Sequence, residues 1–268
     1  MKISILIFLI TFSSIEVLSQ KDPACYCMDY HNNISNYSTP LLEFHIASTG
    51  MDFLKTTKVL DEDSVFFQNQ LLTSEYEKLK DFFTFNISNE KPFLKSPIIG
   101  FAIGKDTSLV NSLFKNYQEK NLRTEDRFRL IWSQKPTIIN KKLLYTMYAV
   151  KWPEETEVIL RGESVENARS SKLPTDTTMS ISIIFDDDGS EIMNTLSSQN
   201  IGNFLLLISH DKVLSAPAIF SSIDHGYILI DGKFTKEEAT SLSNWINCDE
   251  YSRRIGQNKF KNEMKKCK

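Results

Sequence analysis

Four cysteines and four histidines are the residues of this chain best equipped for chemistry. Cys25 and Cys27 stand near the N-terminus with Met28 and His31 beside them, while Cys248 and Cys267 stand near the C-terminus. Sulfur and imidazole together form a donor set for copper or zinc. The same even set of cysteines suits disulfides wherever the chain meets an oxidising compartment. Of the three possible pairings two join the termini, and a Cys25–Cys27 bridge would close a very tight ring. Both N-terminal cysteines are therefore expected to bond Cys248 and Cys267, which makes disulfides and no metal the expectation for Cys25, Cys27, Cys248 and Cys267. Bridges that close most of the chain contribute about 2–4 kcal/mol each in the loop-entropy picture and clasp ends that otherwise fray.

The other reactive side chains do not assemble into a catalytic pattern. His31, His45, His210 and His225 are scattered, and no G-x-S-x-G nucleophile motif accompanies them. No phosphate-cradling glycine loop is present either. Asp186-Asp187-Asp188-Gly189 is acidic enough to suggest calcium, but a calcium loop spreads its ligands over about a dozen residues and ends in a bidentate Glu. A helix cap fits the run better. The expectation is a protein that is not an enzyme and needs no cofactor.

Ser215-Ala216-Pro217 points to binding instead. Proline cannot donate to a ladder, so Pro217 belongs on a sheet edge or at a bulge. An edge with Ile219 and Phe220 beside it could take an extended peptide by strand addition, which makes Pro217, Ile219 and Phe220 the candidate polypeptide-binding residues. The alternative is that Pro217 only ends its strand and protects the edge from aggregation.

The elements that must position these residues can be read from periodicity. Lys2, the apolar run Ile3 to Phe12 and a polar stretch with small residues make residues 1–19 a signal peptide. That run is shorter than the roughly 20 residues that span a bilayer. No later apolar stretch is long enough to span, so the mature chain is expected to be exported, to periplasm or medium, and not membrane-spanning. With 31 basic and 34 acidic residues the net charge is −3, which argues against a general nucleic-acid or anionic-membrane binder, the basic tail being the exception. Residues 20–40 read as an irregular, cysteine-containing lead-in and 248–268 as a basic, cysteine-containing tail.

Between them Leu41 to Ile46 alternates as a strand. Ser74 and Glu77 form a capping box before Tyr76, Leu79, Phe82 and Phe83. Pro97 to Gly104 is strand-like, and Asp106 or Thr107 can cap a helix bearing Leu109, Val110, Leu113, Phe114 and Tyr117. Arg127 to Trp132 and Leu143 to Val150 are strands. Met179, Ile181, Ile183 and Phe185 mark a strand with one buried face. Asp187 or Asp188 can cap a helix with Ile192, Met193 and Leu196 that ends near Gly202. Strands follow at Phe204 to Ile208, at Val213-Leu214 and at Tyr227 to Ile230, the last closed by Asp231-Gly232. Thr235 and Glu238 then launch a helix with Ala239, Leu242, Trp245 and Ile246 inward. This order predicts an α+β fold, a mainly antiparallel sheet with helices packed on one face.

The segment from Thr178 to Ile246 resembles the head of the first periplasmic (P1) domain of SecD and SecDF, part of the bacterial protein-export machinery. The likeness rests on Phe185-Asp186 with Gly189, Asn200-Ile201-Gly202, Lys212-Val213, Ser215-Ala216-Pro217, Ile230 to Thr235, and Glu237-Glu238-Ala239. It continues more loosely through GFAIGKDTSLVNSLF, DRFRLIW, LYTMYAVK and LRGESVENAR, so that 97–247 reads as the head and 41–96 as a separate small domain or part of it. The family's hairpin Asp-Gly is His210-Asp211 here, less suited to positive φ. What the resemblance implies is this fold and, as ligand, unfolded or extended polypeptide, accessory to export. The family's transmembrane energy coupling has no counterpart in these residues. A secreted recognition or structural module with an unrelated partner is the alternative, and a periplasmic metal-binding protein the third reading.

Overall fold

The computed structural model describes residues 27, 42–57, 78, 79, 81–86, 96–151, 160–172 and 178–266. Its first strand, β1 (Leu42–Ile46), leads into helix α1 (Gly50–Thr56), a two-residue strand β2 (Thr84–Phe85) and β3 (Ile98–Ala102). Helix α2 (Thr107–Asn121) follows, with its buried Val110, Phe114 and Tyr117 at the spacing of one helical face. Its entry differs from the expected cap: Asp106 makes no side-chain cap bond, and a short 3-10 turn, Gly104–Asp106, winds in from β3 instead. Thr107 donates its hydroxyl back to the Gly104 carbonyl at 2.9 Å. Next come β4 (Phe128–Ser133), β5 (Thr137–Ile139), β6 (Lys142–Lys151), β7 (Leu160–Arg161), β8 (Val165–Lys172) and β9 (Met179–Phe185). The run then follows the order read from the sequence: α3 (Asp187–Gln199), β10 (Leu205–Ser209), β11 (Lys212–Ser215), β12 (Tyr227–Phe234) and α4 (Lys236–Ile255).

One helix exceeds what the sequence suggested. α4 does not stop at Ile246 but runs to Ile255, and after Gly256 the chain forms α5 (Gln257–Lys265). The basic segment is thus helical, and Cys248 lies within α4 rather than beyond it. Cys248 is disulfide-bonded to Cys27, and both are buried beside Phe260 of α5. Cys25 and Cys267 lie outside the described residues, as do Ser74, Tyr76 and Glu77. Leu79 and Phe83 from that stretch are buried against α2.

The larger sheet has the order β2-β3-β6-β4-β11-β10-β1-β7, with β5 also on β6. Every pairing in it is antiparallel except β4 with β11. A smaller antiparallel sheet has the order β12-β9-β8. At one end of the large sheet α1 and α2 bury Phe53, Phe114, Phe128, Trp132 and Met147 in a common core, where Phe53 meets Phe114 and Phe128 edge-on at 5.5 and 5.1 Å. At the other end Leu42 and Phe44 of β1 and Leu205 and Leu207 of β10 share a core with Ile181, Ile183 and Phe185 of β9. Met193 of α3 and Ala239, Leu242 and Ile246 of α4 complete it. Side chains alternate along a strand, so Leu206 and Ile208 turn to the reverse face of β10 and form a third cluster with Ile131 of β4 and Val150 of β6.

On that reverse face a charged group is buried as well. Glu43 of β1 is 8% exposed. It is met by His45 at 3.0 Å and by Arg129 of β4 at 2.7 Å, while Arg129 reaches Asp211 at 2.5 Å. Burial alone would raise the Glu43 pKa. The hydrogen bonds from His45 and Arg129 and the Arg129 charge outweigh it and hold the carboxyl down at about 2. The bond to Asp211 also explains a turn. His210 and Asp211 both have positive φ, 49° and 57°, which costs a non-glycine residue of order 1 kcal/mol or more. Asp211 is held by Arg129, and the His210 ring stacks on Trp245 at 3.8 Å. The hairpin therefore takes the two-residue geometry without the family's glycine.

Two of the sequence motifs are helix starts. Asp186, not Asp187 or Asp188, caps α3: its side chain accepts from the Gly189 amide at 2.7 Å. Glycine is needed there because a Cβ on Gly189 would lie 2.6 Å from the Ser164 carbonyl oxygen. At α4 the capping box is complete, with Glu238 N to Thr235 Oγ1 at 3.2 Å and Thr235 N to Glu238 Oε2 at 2.8 Å.

Two outcomes are expected. Gly189→Ala should destabilise the fold by about 1–3 kcal/mol, because a backbone carbonyl must move; denaturant unfolding measures it, and an unchanged midpoint would contradict the packing. The folded pKa of Glu43 is depressed, so its contribution is fully present above its ordinary value of 4.5 and is lost as pH falls toward about 2. That contribution is on the order of 2–3 kcal/mol. Unfolding followed across this window should show a steeper loss for the wild type than for Glu43→Gln; equal slopes would show that the pair is not what acid breaks.

Candidate functional site

The segment after β11 is built from backbone outward. β10 pairs with β11 until a bulge between Leu207 and Ile208, and the ladder does not stop there. The Pro217 carbonyl accepts from the Leu205 amide at 2.9 Å, the Ile219 amide donates to Asn203 at 2.8 Å, and the Gly202 amide donates to Ile219 at 2.8 Å. Pro217 therefore does not end the pairing. It contributes an acceptor to β10, where its missing N–H costs nothing. Gly202, with φ of 88°, turns the chain after α3 so that this last bond can form.

The three candidate residues split by burial. Pro217 is exposed, Phe220 is 88% exposed, and Ile219 is 3% exposed. Ile219 belongs to the core shared with Leu205 and Leu207, so it is a floor residue and not an outward contact. Across from it runs β12. Ile230 is buried in the same core and Ile228 packs against it, while Tyr227 and Leu229 are 53% and 45% exposed. Between Pro217–Phe220 and β12 lies a groove of about 300 Å³, lined by Leu205, Leu207, Ile223 and Ile228 besides those residues. That volume is at the low end of ligand-sized clefts.

β12 supplies what the sequence did not signal. Where the sequence predicts an end at Asp231-Gly232, the strand continues to Phe234 with a register shift between Asp231 and Phe234. Its only strand partner among the described residues is β9, so its other side is an edge. An unpaired edge offers a row of N–H and C=O groups to an added strand. The signal that could have found it is the pair Tyr227 and Leu229, apolar residues at two-residue spacing with no polar alternation to hide one of them.

The remaining reactive residues are not drawn into this groove. Cys27 and Cys248 are bonded to each other, away from it, so Cys27 has no thiolate to give a metal. Met28 and His31 lie outside the described residues. His45 and Glu43 pair on the reverse face of the sheet.

Residues 142–249 match the family model described as SecDF, P1 head subdomain. The chain is 34% identical over 87 residues to the protein translocase subunit SecD of Desulfurispirillum indicum, which covers 32% of this chain and 17% of that protein. It is 25% identical over 154 residues to the SecD of Rhodothermus marinus, covering 57% of this chain and 24% of the relative. The matched stretch is thus less than a quarter of either relative's length. Among solved structures, that of a membrane component SecDF that enhances protein export aligns over 78% of this chain and 93% of its own, at 16% identity and a TM-score of 0.34. No helix among the described residues is long and apolar enough to cross a membrane. Residues 142–249, which contain β6 to β12 and most of α4, form a SecD/SecDF P1 head-like domain.

Proposed function

We propose that this protein is an exported binding module that takes up unfolded or extended polypeptide beside β12, as an accessory of protein export. The observation that carries the reading is the open β12 edge next to an apolar groove, with Phe220, Tyr227 and Leu229 exposed around it. Main-chain bonds to an edge give affinity with little demand on sequence, and flanking apolar pockets select side chains at alternate positions. That combination suits a ligand defined by being extended rather than by one sequence. The head-like domain supports the export context, because the relatives it matches are translocase subunits. The described residues that line the groove are mostly apolar, and the reading needs no catalytic group.

Phe220→Ala combined with Leu229→Glu removes one exposed ring and sets a charge at the edge. Binding to an unfolded, reduced secretory client should weaken about tenfold, the effect of losing roughly 1–2 kcal/mol of apolar contact. Both residues are exposed enough that the unfolding midpoint should hardly move. Fluorescence anisotropy with a labelled client measures the first and thermal unfolding the second. Client association no stronger than that of an unrelated exported protein of similar charge would end the proposal.

A further inference from the structure

We propose that the helical C-terminus binds anionic lipid headgroups and holds the protein peripherally against a bilayer. From residue 253 on, the chain carries Arg253, Arg254, Lys259, Lys261, Lys265, Lys266 and Lys268 against one acid, Glu263. The whole chain nevertheless has a net charge of −3. Positive charge is therefore segregated here from an otherwise acidic protein.

The structure turns this segregation into a surface. α5 is docked by Phe260, 2% exposed, which packs with the Cys27–Cys248 bridge and meets the Tyr251 ring edge-on at 6.0 Å. Lys259, Lys265 and Lys266 are exposed. Of the acids nearby, Glu166 is exposed and lines a cleft with Arg254, while Glu263 and Glu250 are engaged with the protein itself. Glu263 is half-buried and accepts the Tyr251 hydroxyl at 3.0 Å, and Glu250, 7% exposed, pairs with Arg254 at 3.1 Å. Lys259 reaches Glu263 only at 4.0 Å, and Lys265 and Lys266 enter no ion pair among the described residues. Cations at the last turns of α4 and α5 complement the helix dipoles, which accounts for Arg253, Arg254 and Lys265 locally. It does not account for Glu263 being the one acid from residue 253 on.

The kind of partner follows from what the helix lacks. Single-stranded nucleic acid is held by exposed aromatics on which bases stack, and the one ring of α5 is committed inward. An inserting amphipathic helix needs a free apolar face, and Phe260, the apolar residue of α5 whose side chain is described, is already covered by α4 and the disulfide. What remains is charge density, the requirement of a negatively charged membrane surface, where each Lys or Arg near the headgroups raises affinity several-fold. Binding of this kind must be purely electrostatic and must collapse with salt, since exposed charges are screened within about 10 Å at 0.1 M.

The full chain should be sedimented with vesicles of phosphatidylcholine alone, or containing about a third phosphatidylglycerol, at ionic strengths of roughly 0.05 and 0.5 M. Association with the anionic vesicles only, and release at the higher salt, is expected. The combined variant K259E/K265E/K266E should weaken it on the order of 100-fold. All three side chains are exposed, so an unchanged thermal melt checks that the fold is intact, and retained client binding separates this surface from the β12 groove. No association with anionic vesicles at low salt, equal association with neutral ones, or an undiminished charge-reversed variant overturns the proposal.

Discussion

The pairing of β1 with β10 is the constraint on which the rest of the molecule depends. It brings Leu42–Ile46 against Leu205–Ser209 in full antiparallel register, so a strand from the start of the described chain becomes an inner member of the sheet. With β1 on one side and β11 on the other, β10 has no free edge, and all five of its residues are buried. Register is set by the two faces of β1. A one-residue slip would drive Glu43 and His45 into the core of Phe185 and Ile183 and leave Leu42 and Phe44 facing Arg129. The buried Glu43–Arg129–Asp211 chain then ties β1, β4 and the β10–β11 turn together. Such a group is weak evidence for net stability but a strong selector of one arrangement over its neighbours.

This constraint explains which parts of the fold could be read from the residues. β9, α3, β10, β11 and α4 each carry a local signal, an alternation or a cap, and appear in the expected order. β1 has a strand's pattern too, yet nothing local says which strand it meets, because its partner lies far along the chain. The parallel contact of β4 with β11 is the same kind of fact: Lys212 opposite Trp132 is a product of packing and not of either sequence. The cap of α3 lies one residue before the expected Asp187 or Asp188 for a related reason. Asp186, Asp187 and Asp188 are equivalent as side chains, and it is Asp186 that stands outside the helix and accepts from the Gly189 amide.

The residues that carry the family likeness turn out to build rather than bind. Asp186 and Gly189 start α3, Gly202 ends its turn, Pro217 continues a ladder, and Thr235 with Glu238 starts α4. Each fixes backbone, which is why such positions are legible in a sequence at all. The groove they frame is lined by ordinary apolar side chains, Phe220, Tyr227 and Leu229 among them, whose exposure depends on the sheet edge and cannot be told from core hydrophobics by type. Of the candidate residues Ile219 illustrates both sides: it lines the groove and is buried as its floor.

An exposed apolar edge is ordinarily a hazard, and the way β12 limits its own edge bears on what can pair with it. Natural edges are kept short, bulged or charged to prevent chain-to-chain pairing. Here the register of β12 with β9 is regular from Tyr227 to Asp231 and shifts before Phe234. A bulge increases local twist and bends the strand, so the straight apolar part is confined to Tyr227–Ile230. The exposed pair Tyr227 and Leu229 lies within that part, and Phe220 projects beside the groove next to it. A folded protein with a long flat edge finds too few partners on so short a strand. The geometry that protects against aggregation therefore leaves a short apolar strand, enough for a few residues of a flexible segment and too little for a folded sheet edge.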